Sequence, residues 1–491
     1  MTKRTIFISI TAVATALIGL GFLYSKNPSY AKELDGVFCE ELSDPQSYKK
    51  KSLDHFAMLI EGKGGWIFRT HNDFRNDWSV KPETLDYLKQ LDQAFKKRNA
   101  ELVLVIPPVR GMVHADRLSR IHKKTYLEKD VDTLWSDYNA MIAAMDGTGV
   151  TTVGIDQSNT KDGNFFYKRN HHWSAYGARE MAKAAAEKIS ILPVYQSIEK
   201  QEFVTKEAEE EQYRSSFKSA FRKICSSKVP DETIQYYVTE LIQSTNNESS
   251  LFGDKSSNNI FLIGTSNSIN DSSKANFEGF LREYLSSDIT NNAITGAGID
   301  SSVISFIQSK AFQNNEPKIV IWEVPGYYDL NIMDDKIFNQ IIPAAYGQCE
   351  SPKLQKQMAS IKANTKTTIF TPQEPQIIEP EQAEEASSEE ENNSDNVTQE
   401  QPMTPTKIEL VGNDYIHIMF DKPVRHSFSL RFVYEDGGVK KQNFSRDKSF
   451  PVDRNFYTKL PTSKDIKTLK AIEIYSKKKP LPSAQYSICS Q

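Results

Sequence analysis

Four cysteines in 491 residues are too few for a small disulfide-stapled scaffold, and none of them stands at CxxC spacing, which argues against a zinc ribbon or a dithiol redox motif. A large excess of one charge is also missing. Lys and Arg number 60 against 64 Asp and Glu, a formal net charge of −4, which argues against a general nucleic-acid-binding protein. Beyond one apolar run at the start, no stretch has the length and hydrophobicity of a bilayer-spanning helix, so a polytopic membrane protein is excluded. No internal repeat is evident. What remains is a chain with 38% hydrophobic and 25% charged residues. That is enough to bury cores, and at about 150 residues per domain the length suggests roughly three domains.

The start reads MTKR, then an apolar run over residues 6–24, then SKNPSYAKEL. Basic, apolar, then small residues is the layout of a secretory signal. Ser29 and Ala31 fit cleavage after Ala31, so residues 1–31 are expected to be a signal peptide; retained, the same run would be an N-terminal anchor. Either way the remainder is expected to be exported to an oxidising space, the periplasm. The cysteines, Cys39, Cys225, Cys349 and Cys489, then allow three pairings. The simplest joins Cys39 to Cys225 and Cys349 to Cys489, each bridge closing one contiguous block. Unpaired buried thiols are the alternative.

Residues 371–405 carry ten acidic side chains, no basic ones and no aromatics. Such a segment cannot bury enough apolar surface to offset its ordering entropy, and it reads as an acidic disordered linker. Before it, apolar periodicity alternates between helix and buried strand. Leu85, Leu88, Leu91 and Phe95 predict a helix over 83–97, and 174–189 and 276–285 read likewise. LVLVIPP (102–108), NIFLIG (259–264) and PKIVIWEVP (317–325) read as strands buried on both faces. The fold class is therefore α/β, a parallel sheet flanked by helices over 32–370. After the linker, residues 406–491 alternate in the strand manner around turns such as EDGG, and from Lys407 onward they carry 16 Lys and Arg against nine Asp and Glu. That predicts a small, basic, all-β, sandwich-like domain.

Three fragments could carry chemistry. In FLIGTSNS a buried strand ends at Gly264 and Ser266 follows on the turn, where α/β proteins place their sites, though such a turn is commonly only a helix cap. In KRNHHWSAYGARE, Asn170, His171, His172 and Trp173 precede a helix. A histidine there could serve as general base to a serine, with the residue two places earlier orienting it; a capping turn with a buried histidine is the plainer reading. No acidic or cysteine partner is spaced to complete a metal site, so no metal and no cofactor is expected. In WEVPGYYDL, Tyr327 and Tyr328 follow a strand end.

Taken together with GKGGWIFRT (62–70), LVLVIPP, FFYKRNHHWSAYGAR (165–179), NFEGFLREYL and KIVIWEVP, these fragments resemble the AlgX/AlgJ family of alginate O-acetyltransferases, the AlgX branch more than AlgJ. The resemblance spans most of the chain outside the acidic segment. It implies an SGNH-hydrolase-like catalytic domain with the histidine motif before the serine, and a C-terminal carbohydrate-binding module. By motif, Ser266 is the expected nucleophile and His172 its base. Tyr328, or less closely Tyr327, matches a tyrosine lining the oxyanion site, with Gly298 near it. The implied activity is transfer of acetyl, through an acetyl-serine, onto hydroxyls of an exported uronate polysaccharide. Its implied partners are the anionic polymer, a membrane-associated acetyl donor and proteins of an export complex.

The family's Asp-x-His aspartate falls on Asn170. Loss of that charge costs about 10⁴ in rate in the serine proteases, partly through the wrong histidine tautomer. The expectation is an attenuated catalyst, or rescue by another acid such as Asp162, with Asn170→Asp raising turnover. An acetyl esterase of the same fold and a non-catalytic polymer-binding scaffold are the competing readings. In the β domain, Tyr415, His417, Arg425, Arg431 and Lys440 are the expected polymer-binding residues, because guanidinium groups fork onto carboxylates and aromatic faces stack on sugars; a merely solvated basic face is the alternative.

Overall fold

The computed structural model describes residues 38–49, 58–225, 228–242, 259–296, 298–314, 317–347, 349, 351–372, 408–444, 453–461, 463–466 and 468–490. The expected signal peptide, 1–31, lies outside them, as does the acidic segment beyond residue 372. The chain divides into two compact units: residues up to Phe306 with Asn315–Asp334, and Ile307–Asn314 with Asp335–Gln491.

In chain order the first unit contains a small hairpin of β1 (Leu59–Glu61) and β2 (Ile67–Arg69), helix α1 (Pro82–Lys97), β3 (Glu101–Val105), α2 (Val131–Asp146), β4 (Thr151–Val153) and α3 (Ala175–Ser190). A long antiparallel hairpin of β5 (Phe203–Tyr213) and β6 (Glu232–Leu241) follows, then β7 (Ile260–Ile263), α4 (Phe277–Leu285), β8 (Thr290–Asn291) and β9 (Ile319–Glu323). Five of these strands form one parallel sheet in the order β4-β3-β9-β7-β8. The expected α/β class is the one observed.

Local sequence explains the main elements. Pro82 occupies the first turn of α1, where its missing N–H costs nothing, and Leu88, Leu91, Ala94 and Phe95 form its buried face. Ser174 caps α3 by accepting from the Gly177 amide, and the alanines of α3 allow close packing on the sheet. Strands β7 and β9 are buried at every position, as strands covered on both faces must be. The β3 strand stops at Val105, short of the expected 108, because Pro107 and Pro108 cannot donate to a ladder.

The second unit is a pair of four-stranded antiparallel sheets. Its strands are β10 (Leu354–Met358), β11 (Lys366–Phe370), β12 (Tyr415–Val424), β13 (Phe428–Tyr434), β14 (Val439–Phe444), β15 (Asp453–Lys459), β16 (Leu469–Tyr475) and β17 (Ala484–Cys489). The orders are β10-β17-β12-β15 and β11-β16-β13-β14. One apolar core, including Ile416, Ile418, Phe420, Leu430, Phe432, Phe456, Ile472 and Ile488, is shared by both sheets, which makes the unit a sandwich.

One expected boundary is corrected here. The division at residue 370 does not hold, because β10 pairs with β17 and β11 with β16, so residues 354–370 belong to the β unit. The acidic segment therefore joins two strands of one unit, not two domains. A break in composition marks where a chain stops burying surface, and that can happen inside a domain as easily as between domains.

The two disulfides are Cys39–Cys225 in the first unit and Cys349–Cys489 in the second, the sequential pairing. Cys39 and Cys225 sit in a small core with Leu42, Leu59, Ile67 and Phe221. No helix among the described residues is long and apolar enough to cross a membrane.

Candidate active site

The site lies at the carboxyl edge of the parallel sheet, where the loops after β7 and β9 meet the loop before α3. Strand β7 ends at Ile263, and Ser266 opens a single 3-10 turn. Position 264 must be glycine, since a Cβ there would lie 2.6 Å from Glu323 Oε2. That contact exists because the carboxylate of Glu323, at the end of β9 and fully buried, holds the turn from below. It accepts from the Thr265 amide (2.8 Å), the Thr265 hydroxyl (3.0 Å), Asn267 Nδ2 (3.1 Å) and the Ser268 hydroxyl (3.2 Å). Burial raises the Glu323 pKa, and these four hydrogen bonds oppose the rise. Every residue flanking Ser266 on this turn is thus tied to one side chain.

The histidine loop is anchored separately. Arg110, buried just after β3, donates to the Ile67 carbonyl (2.9 Å), Asp73 (2.6 Å) and the carbonyls of Tyr167 (2.6 Å) and Lys168 (3.2 Å). His114 Nε2 accepts from the Phe166 amide at 3.2 Å, and its ring lies 4.2 Å from that of Trp66. Trp173 donates from its indole to the Asn267 carbonyl at 3.0 Å, which joins the histidine loop to the serine turn.

The result is a three-residue relay. His172 Nε2 lies 2.8 Å from Ser266 Oγ, and His172 Nδ1 lies 2.8 Å from Asn170 Oδ1. Asn170 and His172 are 3% and 6% exposed. Burial first, and then the charge of Arg69, hold the His172 imidazole down to about 3, so it is neutral at any ordinary pH, with one ring nitrogen unprotonated. Asp162 is not among the partners of His172 Nδ1, which are Asn170 and Tyr213: its side chain is exposed, and its amide donates to the Tyr176 hydroxyl at 3.3 Å.

On the far side of the edge, Arg75 Nη1 donates to the carbonyls of Gly326 and Tyr328, both at 3.0 Å, and so shapes the Tyr327–Tyr328 turn. Tyr327 takes the charge of Arg69, whose guanidinium lies 4.8 Å from its ring, and Tyr328 packs on Tyr327 at 4.6 Å. Arg69 is itself held by Asp73 (2.7 Å). Tyr328 thus shares the electrostatic neighbourhood of Arg69 and Glu323. Gly298 lies in a left-handed turn whose nearest side chain is Asp300.

A family model described as SGNH hydrolase-like domain, acetyltransferase AlgX, matches residues 59–326, the span that contains all of these groups. The chain is 32% identical over 349 residues to the alginate biosynthesis protein AlgX of Azotobacter vinelandii, covering 70% of each chain. The chain belongs to the AlgX family. The solved structure of Pseudomonas aeruginosa AlgX superposes on this AlgX-family protein with a TM-score of 0.70 and 25% identity, over 92% of this chain and 99% of that one. The probable alginate O-acetylase AlgJ of Pseudomonas aeruginosa is 25% identical over 288 residues, 55% of this chain and 70% of its own length.

The residues expected to bind polymer are not brought together in the β unit, and two of them are corrected. Tyr415 is 3% exposed, its hydroxyl 3.4 Å from the Gly347 carbonyl. His417 is stacked at 4.1 Å on Tyr457 and bonded to Asn455 (3.0 Å). Neither presents a ring to a sugar. Strand alternation placed both on one face, as observed, but that face is covered by the unit's own residues: Tyr457 reaches Gln313, and Tyr415 reaches Gly347. Arg431 and Lys440 stand on the other sheet, with Arg431 paired to Glu473 at 3.0 Å. Arg425 is exposed in the turn between β12 and β13.

Arg69, Tyr213, Arg214 and Glu323 were not singled out from sequence. Only Glu323 had a local signal, a carboxylate closing an otherwise apolar buried strand. Tyr213 comes from the end of the long hairpin, 41 residues beyond His172, and nothing local marks it.

Proposed function

We propose that this AlgX-family chain is a periplasmic O-acetyltransferase that carries acetyl on Ser266 and delivers it to hydroxyls of an anionic, uronate-type polysaccharide. The observation that carries the proposal is the hydroxyl–imidazole contact of Ser266 and His172 at 2.8 Å. Ser266 Oγ attacks the donor's carbonyl carbon while His172 Nε2 takes the hydroxyl proton and passes it to the leaving group. A sugar hydroxyl then attacks the acetyl-serine, its proton moving to His172 and back to Ser266 Oγ as the ester is released. The Ser266 amide and the Tyr328 phenol, with Gly298 beside them, are the proposed oxyanion site. The acetyl comes from a membrane-associated donor, and the chain works among export-complex proteins.

The names of the relatives, an alginate biosynthesis protein and a probable alginate O-acetylase, support this substrate class. Both disulfides fit an oxidising compartment. In the basic β unit, Arg425, Arg431 and Lys440 are the proposed polymer contacts, and Tyr415 and His417 are packing residues.

The test is incubation of residues 32–491 with p-nitrophenyl acetate and oligouronates, with Ser266→Ala alongside. Acetylated oligouronate that depends on Ser266 is the expected product. Release of acetate alone, unchanged by the acceptor, would make the protein an esterase.

A further inference from the structure

Asn170 would be a weakened aspartate if its surroundings were those an aspartate needs, and they are not. The side-chain oxygen accepts from the His172 main-chain amide at 3.2 Å and lies 2.8 Å from His172 Nδ1. The side-chain nitrogen donates to the Arg214 carbonyl at 3.1 Å, a group that can only accept. The Tyr213 hydroxyl lies 3.4 Å from His172 Nδ1. That phenol has already committed its proton, donating to the Ser272 carbonyl at 2.6 Å, so towards Nδ1 it too offers only a lone pair. A flipped amide would set oxygen against the Arg214 carbonyl and nitrogen against the His172 amide. One orientation therefore satisfies all the partners, and in it the oxygen requires the proton of His172 on Nδ1. Nε2 is then the bare nitrogen, aimed at the Ser266 hydroxyl. An aspartate would keep the bonds to His172 but turn its second oxygen onto the Arg214 carbonyl in a buried place, which is costly.

We propose that Asn170 is a specified member of the relay, its amide clamped by the Arg214 carbonyl, which selects asparagine over aspartate, so as to hold His172 in the base-competent tautomer, and that Tyr213 is a positioning residue whose lone pair, facing Nδ1, favours the same tautomer. This rests on the acetyl-transfer reading of the site for its kinetic consequence, but not for its structural one. The serine-protease penalty for asparagine arises from an amide free to present its nitrogen to the histidine. Here that orientation is closed off, and the sequence-based expectation that Asn170→Asp raises turnover is reversed.

Two measurements on the whole exported chain decide the matter. In ¹⁵N NMR of histidine-labelled parent protein, His172, assigned with His172→Gln, is expected as the Nδ1–H form, and Asn170→Ala should move it towards Nε2–H. A parent in the Nε2–H form overturns the proposal whether or not the protein transfers acetyl. In turnover of p-nitrophenyl acetate, Asn170→Asp should fall at least about tenfold. Tyr213→Phe should lower kcat about threefold with KM unchanged. An aspartate variant as fast as the parent, or faster, overturns the proposal. A parent that shows the Nδ1–H tautomer but no Ser266-dependent chemistry would support the clamp and reject the transferase reading.

Discussion

Ser266 Oγ and His172 Nε2 lie 2.8 Å apart although 94 residues separate them in the chain. The serine rides on a turn tied to Glu323, and the histidine on a loop tied to Arg110 and His114. Indole donation from Trp173 to the Asn267 carbonyl sets the two parts against each other. Removing either member should therefore disable the same step. Ser266→Ala should abolish labelling by a fluorophosphonate probe. His172→Ala should slow labelling by about 10²–10⁴-fold, the range for loss of a general base, with the fold intact by circular dichroism.

Glu323 touches no substrate position, yet it should matter as much as many residues that do. Glu323→Ala leaves the Thr265 amide and Asn267 Nδ2 as buried donors, each worth about 1–3 kcal/mol when unpaired. A lower urea midpoint and at least a tenfold slower labelling of Ser266 are expected. Glu323→Gln should be far milder. Asn267 Oδ1 is buried and without a partner among the described residues, so a rotated Asn267 amide can accept from the new Gln Nε2 while Gln Oε1 keeps the Thr265 amide. A glutamine variant as damaged as the alanine one would show that the charge, not the acceptor pattern, is what the turn requires.

Acid should unfold the protein through its histidines. Burial lowers His114 and His172 to about 3, and His417 to about 4. Below the unfolded value of about 6.5 the denatured chain takes up protons that the folded chain refuses, so stability is complete above that pH and falls as pH drops. At pH 5 the loss is about 2 kcal/mol for each such histidine. Urea midpoints measured from pH 7 to pH 4.5 should decline steadily, while NMR of the folded protein should show these three rings still neutral at pH 5. Ring titration near 6.5 in the folded state would remove the basis of the effect.

The two bridges should stabilise their own units. Cys39 and Cys225 are 186 residues apart, and Cys349 and Cys489 are 140 apart. Closing loops of that length is worth about 5 kcal/mol on the chain-entropy account, and removing a native bridge costs about 2–5 kcal/mol. Paired serine substitutions, Cys39→Ser with Cys225→Ser, should lower the stability of the first unit by that order in denaturant titration. The corresponding change at Cys349 and Cys489 should act on the β unit. Equal stability with and without a bridge would place its role elsewhere.

Strand and helix identity was legible because burial on both faces and helical spacing are local patterns, and local patterns survive in sequence. The same holds for the serine turn, the histidine loop and the cysteine order. Two kinds of fact were not legible. One is which face of a strand stays open: Tyr415 and His417 alternate as surface residues should, yet both are buried, with Gly347 and Gln313 of the same unit bonded to Tyr415 and Tyr457 there, and only packing reveals a cover drawn from elsewhere in the chain. The other is what a polar side chain meets. Asn170 looked like a defect beside the family's aspartate because sequence gives the residue and not its partners. The Arg214 carbonyl arrives from the end of a distant hairpin, and hydrogen-bond polarity there decides which residue the position can use. Local patterns in the chain were enough to set the elements and the chemical groups; which groups meet and which remain exposed came from the folded packing, because those depend on contacts between segments far apart in the chain.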